Sequence, residues 1–256
     1  PNIDYFISSE LLEIPGASSH YSEQLIEMSH LPTFYYQPEF PKTQFTRDDF
    51  DLPKEGHIYV CPQTLFKFHP EFDDILGELL RRDPGSHLIL IDYLGGGHWK
   101  RLLCERFDRV FPNVADRVIF IPRMSREKYL GLLILADAVL DIPAFSGGNS
   151  SFEALAMGAP IVTWPQEFMR GRLTAALYKQ MGLNELIASD AETYLTLAQR
   201  LAQDTDFRGQ VQADIKANNH KLYERQEAVR EMESLFIAAY DASQKGDVLK
   251  SFSGIE

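Results

Sequence analysis

The chain has 256 residues, 45% of them hydrophobic and 24% charged, long enough to bury one large core or two small ones. Its formal net charge of −12 argues against a general nucleic-acid binder, which needs a basic footprint, but leaves room for an anionic small ligand held by a local cluster. No basic stretch followed by an apolar one marks a leader, and no apolar run approaches the ~18 residues that span a bilayer, so no membrane partner is expected and a cytoplasmic location is.

The chain opens on Pro1, and residues 1–13 read as protein interior, which leads us to expect a piece of a longer chain. Ile3–Ser8 reads as a short strand standing alone in front of the rest. Pro15-Gly16, Pro32, Pro38, Pro41 and Pro53 punctuate the first 50 or so residues, and Leu31–Glu55 reads as an extended linker with aromatics between the prolines. From His57 the pattern changes. Strands are predicted at His57–Cys61, His87–Asp92, Arg117–Ile121, Ala138–Leu140 and Pro160–Thr163. Between and after them helices are predicted at Pro70–Arg82, Trp99–Phe111, Ser125–Ala136 with Ser125 as N-cap, Ser150–Met157 with Gly158 at its end, Gly171–Met181 and Asp190–Gln203. One long charged helical stretch follows, Phe207–Tyr240, with an apolar stripe of Leu222, Val229, Met232, Leu235, Phe236 and Ala239. It either packs on its own domain or crosses to a neighbouring one. Gly246–Glu256 reads as disordered.

Short strands that are apolar on both faces and alternate with helices predict a doubly wound parallel α/β sheet. Ligands of such sheets bind outside the carboxyl ends of the strands, so the loops after Cys61, Asp92, Ile121, Asp141 and Thr163 are the places to look. Asp141–Gly158 (DIPAFSGGNSSFEALAMG) is the most informative. Gly147 and Gly148 let the backbone approach a ligand, and Asn149, Ser150 and Ser151 supply donors at a helix start that suits phosphate. Glu153 in the first turn suits ribose hydroxyls. The plainer alternative is a Gly-rich turn with a Ser cap. Gln63 or Thr64, with Lys67, follow the first strand of the sheet and could meet a diphosphate; a solvated lysine is the alternative. In Pro122–Tyr129, Arg126 could reach a phosphate and Tyr129 could lie on a base, or the segment is a solvated helical turn. His98, after Gly95-Gly96-Gly97, reads as a mobile-loop residue. The histidines show no metal-ligand spacing. Cys61 and Cys104 form no CxxC and are expected as two buried, reduced thiols.

Taken together, IDYFISSELLE, HYSEQLIEM, CPQTLFKFHP, VIFIPRMSREKYLGLLILADAVLDIP, FSGGNSSFEALAMGAPIVTWP and GRLTAALYKQMGLNELIASD resemble the C-terminal catalytic half of the O-linked N-acetylglucosamine transferase family, which includes the SPINDLY-like proteins. The resemblance runs from about Ile3 to Asp204. It implies a GT-B architecture, two Rossmann-like domains facing a cleft, with residues 1–55 as the end of the preceding catalytic domain and linker, 56–205 as the nucleotide-sugar-binding domain, and 206–256 as a bracing helix and tail. It implies Lys67 as the catalytic group on the donor diphosphate. The family's neighbouring glutamine falls at Thr64, or at Gln63 with a one-residue shift. Asn149 and Ser150 match its paired threonines, Glu153 its ribose aspartate, Arg126 a lysine, and Tyr129 a histidine near the uracil. Gly148 replaces another histidine, and Leu132 a base-contacting arginine. The donor-binding set is then Gln63, Thr64, Arg123, Met124, Arg126, Tyr129, Gly147, Gly148, Asn149, Ser150, Ser151 and Glu153, with no metal and no cofactor beyond the nucleotide-sugar substrate. The partners implied are a UDP-sugar, an acceptor protein, and an N-terminal catalytic domain with tetratricopeptide repeats in the same chain. The expected activity is inverting transfer of N-acetylglucosamine from UDP-GlcNAc to Ser or Thr. The rivals are O-fucosyl transfer from a GDP donor, N-glucosyl transfer to Asn, and a non-catalytic nucleotide- or protein-binding module.

Overall fold

A computed structural model describes residues 3–92, 97–249 and 252. Five short strands carry the fold: β3 (Ile58–Cys61), β4 (His87–Asp92), β5 (Val118–Pro122), β6 (Ala138–Leu140) and β7 (Ile161–Val162). They form one parallel sheet in the order β5-β4-β3-β6-β7. Tyr59 of β3 pairs with Leu88 on one side and Ala138 on the other. The sheet grows outward from β3 in both directions, so its switch point lies between β3 and β6, where the carboxyl-end loops part and leave a crevice. The core strands read IYVC and AVL and are buried throughout, because helices cover both faces.

The α-helices along the chain are α1 (Glu71–Arg82), α2 (His98–Val110), α3 (Arg126–Leu135), α4 (Asn149–Ala156), α5 (Leu173–Met181), α6 (Ala191–Gln203), α7 (Thr205–Asn218) and α8 (Gln226–Gln244). Their boundaries follow local chemistry. Ser125 Oγ accepts the Lys128 N–H at 3.3 Å and starts α3, and Asp190 accepts the Thr193 N–H at 2.7 Å and starts α6. Gly158 takes φ +73 just beyond α4. Among the described residues no helix is long and apolar enough to cross a membrane.

Four expectations need correction. The strand at the start is not alone: β1 (Tyr5–Ser9) pairs in parallel with β2 (Gln24–Met28), and the two form a separate sheet. The stretch Phe207–Tyr240 is not one helix. It breaks between α7 and α8, where Asn219 Nδ2 donates to the Leu155 carbonyl at 3.0 Å, Tyr223 OH donates to the Phe152 carbonyl at 2.6 Å, and Glu224 takes φ +52. Docking onto α4 outweighs helical continuation there. His98 is not a loop residue; it opens α2 behind Gly97, while Gly95 and Gly96 lie outside the described residues. Cys61 is buried, but Cys104 is only partly so. Of the tail read as disordered, residues 250, 251 and 253–256 lie outside the described residues, and the Leu249 N–H donates to Tyr5 OH at 2.7 Å.

The break lets α8 return to the front of the chain. Buried Glu231 accepts the Ser29 N–H and Oγ–H at 2.7 Å each, the His30 N–H at 3.1 Å, and His30 Nδ1 at 2.9 Å. Burial disfavours the charge, but these donors outweigh it and hold the carboxyl below its ordinary 4.5. A carboxyl depressed in the folded state contributes stability that is present above its unfolded pKa and is lost as pH falls through the folded value. Glu231→Gln is therefore expected to lower unfolding free energy by about 1–3 kcal/mol at neutral pH. The gap to wild type should narrow as pH drops below the ordinary glutamate value. Urea titrations across pH measure both.

Candidate functional site

At the switch point, the loop after β3 faces the loop that joins β6 to α4. Asp141, at the end of β6, organises the second loop from below. It is 2% exposed. Its Oδ2 accepts from Ser146 Oγ and Thr163 Oγ1 at 2.7 Å each, and its Oδ1 accepts the Gly147 N–H at 2.7 Å. Burial pushes its pKa up, and those three donors pull against the rise. Ser146 Oγ also shares a hydrogen bond with Thr174 Oγ1 at 2.8 Å, and Thr174 Oγ1 with Ser151 Oγ at 2.7 Å, so α5 is locked to the start of α4.

Gly147 is needed here for space. A Cβ on it would stand 2.3 Å from Ser151 Oγ, 2.6 Å from Gln63 Nε2 and 2.8 Å from Ser150 Oγ. That close approach brings the two loops together. Buried Gln63 donates through Nε2 to Ser150 Oγ at 2.8 Å and accepts from Lys67 Nζ at 3.2 Å. The ammonium also sits 4.1 Å from the centre of the Phe145 ring. Burial lowers the Lys67 pKa, and the Asp141 charge works the other way. The Thr64 hydroxyl is buried with no hydrogen-bond partner among the described residues. Above these groups the first N–H groups of α4, at Asn149 and Ser150, have no partner within the helix.

The result is an open cleft of about 680 Å³. Of the residues singled out from the sequence, Gln63, Thr64, Lys67, Tyr129, Gly148, Asn149, Ser150 and Glu153 line it. Gly147 and Ser151 lie beneath, as the packed floor just described. One turn along α4 from Ser150, Glu153 meets Arg126, with Nε 3.3 Å from Oε1. Burial raises the Glu153 pKa and the guanidinium opposes the rise. Arg126 therefore stands at the rim, engaged with a carboxylate, and does not join Lys67 in one cationic cluster. Arg123 and Met124 do not line the cleft; Arg123 is exposed on the loop after β5. Leu132 is fully buried in the core.

The sequence reading missed six lining residues, Pro62, Phe145, Ser146, Met169, Arg170 and Leu173. Arg170 adds a second cation, its guanidinium 4.7 Å from the Phe168 ring centre. The signal available was its place in the loop after Thr163, at the carboxyl edge of the sheet. The role of Asp141 was missed too, since nothing local distinguishes a strand-end aspartate from a solvated one. Among the described residues no group of three or more His, Cys, Asp or Glu side chains could hold a metal ion.

This topology and the solved structures it matches are those of the GT-B glycosyltransferases, and the chain supplies one Rossmann-like half. The model of glycosyl transferase family 41 matches residues 38–232, and the chain belongs to that family. It is 25% identical to the probable UDP-N-acetylglucosamine–peptide N-acetylglucosaminyltransferase SEC of Arabidopsis thaliana, over 99% of this chain and 27% of that protein. It is 22% identical to the probable enzyme of the same description, SPINDLY, of Solanum lycopersicum, over 97% of this chain and 27% of that protein. Among solved structures it is similar to a mutant of the Thermobaculum terrenum O-GlcNAc transferase, with TM-score 0.81 and 25% identity, over 95% of this chain and 46% of that one. The chain thus spans about a quarter of the length of these curated relatives.

Asp141→Asn is expected to leave at least one of the three donors facing an amide that cannot accept from it. The expected cost is about 1–3 kcal/mol of unfolding free energy. Chemical denaturation measures it, and an unchanged midpoint would show that the buried carboxylate does not hold the loop.

Proposed function

We propose that this chain is the donor-binding half of an inverting protein O-glycosyltransferase that moves N-acetylglucosamine from UDP-GlcNAc to Ser or Thr hydroxyls. One observation carries the reading: Lys67 Nζ, Gln63, the Ser150 hydroxyl and the start of α4 converge on one wall of the cleft. Such a wall suits a diphosphate leaving group. The helix start contributes roughly half a positive charge. Lys67 adds a full one in a partly buried setting, where charges are weakly screened. Glu153, one turn along, suits the ribose hydroxyls.

In the reaction, the acceptor oxygen attacks the anomeric carbon from the face opposite the diphosphate. The bond from that carbon to the phosphate oxygen breaks, and the electron pair leaves with UDP. Lys67 and the α4 amides stabilise the negative charge as it develops, and fixed groups already aimed at it need little reorganisation. This protein-supplied positive field does the neutralising that a divalent cation does in other transferases. The base that takes the hydroxyl proton is assigned to the facing half of the cleft. The names of the curated relatives, peptide N-acetylglucosaminyltransferases, and their much greater length support an acceptor protein and a second catalytic half as partners. The exposed Phe236, Ile237 and Tyr240 of α8 suit contact with that half.

Lys67→Ala in the full-length protein is expected to slow transfer from UDP-GlcNAc to acceptor protein about 10²–10³-fold, by analogy with loss of one oxyanion donor. Its unfolding midpoint should stay near wild type. Initial rates measure the first and thermal melts the second; near-normal transfer would refute the assignment of Lys67. The same assay run with GDP-fucose and UDP-glucose reads out the rival donors.

A further inference from the structure

We propose that Arg170 closes on the donor's diphosphate as a second side-chain cation, beside Lys67. This deepens the donor-site reading above and rests on it. Arg170 lines the cleft together with Lys67, Asn149 and Ser150, and it comes from the loop after β7.

The backbone of that loop is anchored while the Arg170 side chain is exposed. The Ser146 N–H donates to the Arg170 carbonyl at 2.8 Å, which ties the loop to the turn into α4. A Cβ on the next residue, Gly171, would stand 2.5 Å from the Pro143 carbonyl oxygen, so the two loops pack backbone to backbone. Arg172 then donates through Nε to the Leu12 carbonyl at 2.6 Å and through Nη1 to the Gln166 carbonyl at 2.7 Å. The Arg170 side chain takes no part in these anchors. Among the described residues its guanidinium has no ion-pair partner and rests on the Phe168 ring, 4.7 Å from the ring centre.

Charge selects the ligand. Arg126, the other guanidinium near the cleft, is 3.3 Å from Glu153. Glu167, three residues before Arg170, is turned to His20, with Oε1 3.5 Å from Nε2. Arg170 therefore keeps its full charge, since an aromatic face attracts a cation without neutralising it. A neighbouring cavity of about 590 Å³, which Arg170 also borders, is lined by Glu71 and Asp74, so an anion is favoured on the donor side alone. The donor side has a charge to fill. A terminal phosphate carries about −1.5 to −2 at neutral pH, and the inner phosphate of a diphosphate adds to it. Lys67 and the start of α4 together offer roughly +1.5. A guanidinium presents its N–H groups in a planar fork from which two phosphate oxygens accept. An exposed ring contact is weak, so exchanging Phe168 for phosphate costs little.

Calorimetric titration of the full-length protein with UDP, UDP-GlcNAc and inorganic pyrophosphate tests this. Arg170→Ala should weaken all three by about 10–100-fold, the effect of losing hydrogen bonds to a charged group. Arg170→Lys, which keeps the charge but not the fork, should lose less. Both variants should melt with wild type, since the side chain is exposed. Weakening of UDP-GlcNAc alone would put Arg170 on the sugar and overturn the proposal. If Arg170→Ala binds all three as wild type does while Lys67→Ala loses them, the second cation is wrong and the donor site stands. A wild type that binds none of the three overturns both readings.

Discussion

A buried carboxylate with three hydrogen-bond donors around it is the constraint on which this molecule's site depends. Asp141 closes β6, and the donors that reach it come from Ser146, Gly147 and Thr163. Its backbone carbonyl also accepts from Tyr194 OH of α6 at 3.0 Å. A carboxylate this deep is tolerable only when satisfied, so each donor is held where it is. Ser146 and Gly147 set the turn into α4, Thr163 aligns the neighbouring strand, and Thr174 carries the network into α5. The α4 N-terminus is thereby aimed at the cleft.

The sheet order supplies the other half of the arrangement. Because β3 and β6 are neighbours at the switch point, the loop after β3 lies opposite the loop after β6. Gln63 joins them with one hydrogen bond to Ser150 and one from Lys67. Gly147 permits the approach, since any side chain there would occupy the same space as the Gln63 amide. The wall is therefore held by contacts within the chain itself.

The parts outside the sheet are tied to it by specific contacts. The linker crosses α3 and α4 through Phe45, Glu127 and Tyr35. The break between α7 and α8 redirects the chain so that Glu231 meets Ser29 and His30. Arg172 Nε donates to the Leu12 carbonyl at 2.6 Å, a further link from the segment after β1 to the main sheet's loops. The segment after β1 is thus attached to the main sheet's loops, and the last helix to the segment after β2.

Much of this was legible in the amino-acid order. Alternating apolar runs determined the five-stranded parallel sheet, because strands buried on both faces leave an apolar signature in one dimension. Ser125, Asp190 and Gly158 marked helix ends through contacts a few residues long. The Gly-rich segment 146–151 and Lys67 stood out because small and polar residues follow a strand end there. What stayed hidden depends on residues distant in sequence. QLIEM became a strand because β1 lay beside it, and 207–240 broke because Asn219 and Tyr223 found α4. Arg126 turned to Glu153, Arg123 stayed outside the cleft, and Arg170 entered it, since side-chain direction is set by packing between elements. The sequence by itself determined which elements form and which edge carries the chemistry. Only the tertiary structure decided which side chains meet there, because local propensity is written in neighbours three or four apart, whereas a site is assembled from contacts between loops some 80 residues apart, as between Gln63 and Ser150, |i−j| = 87.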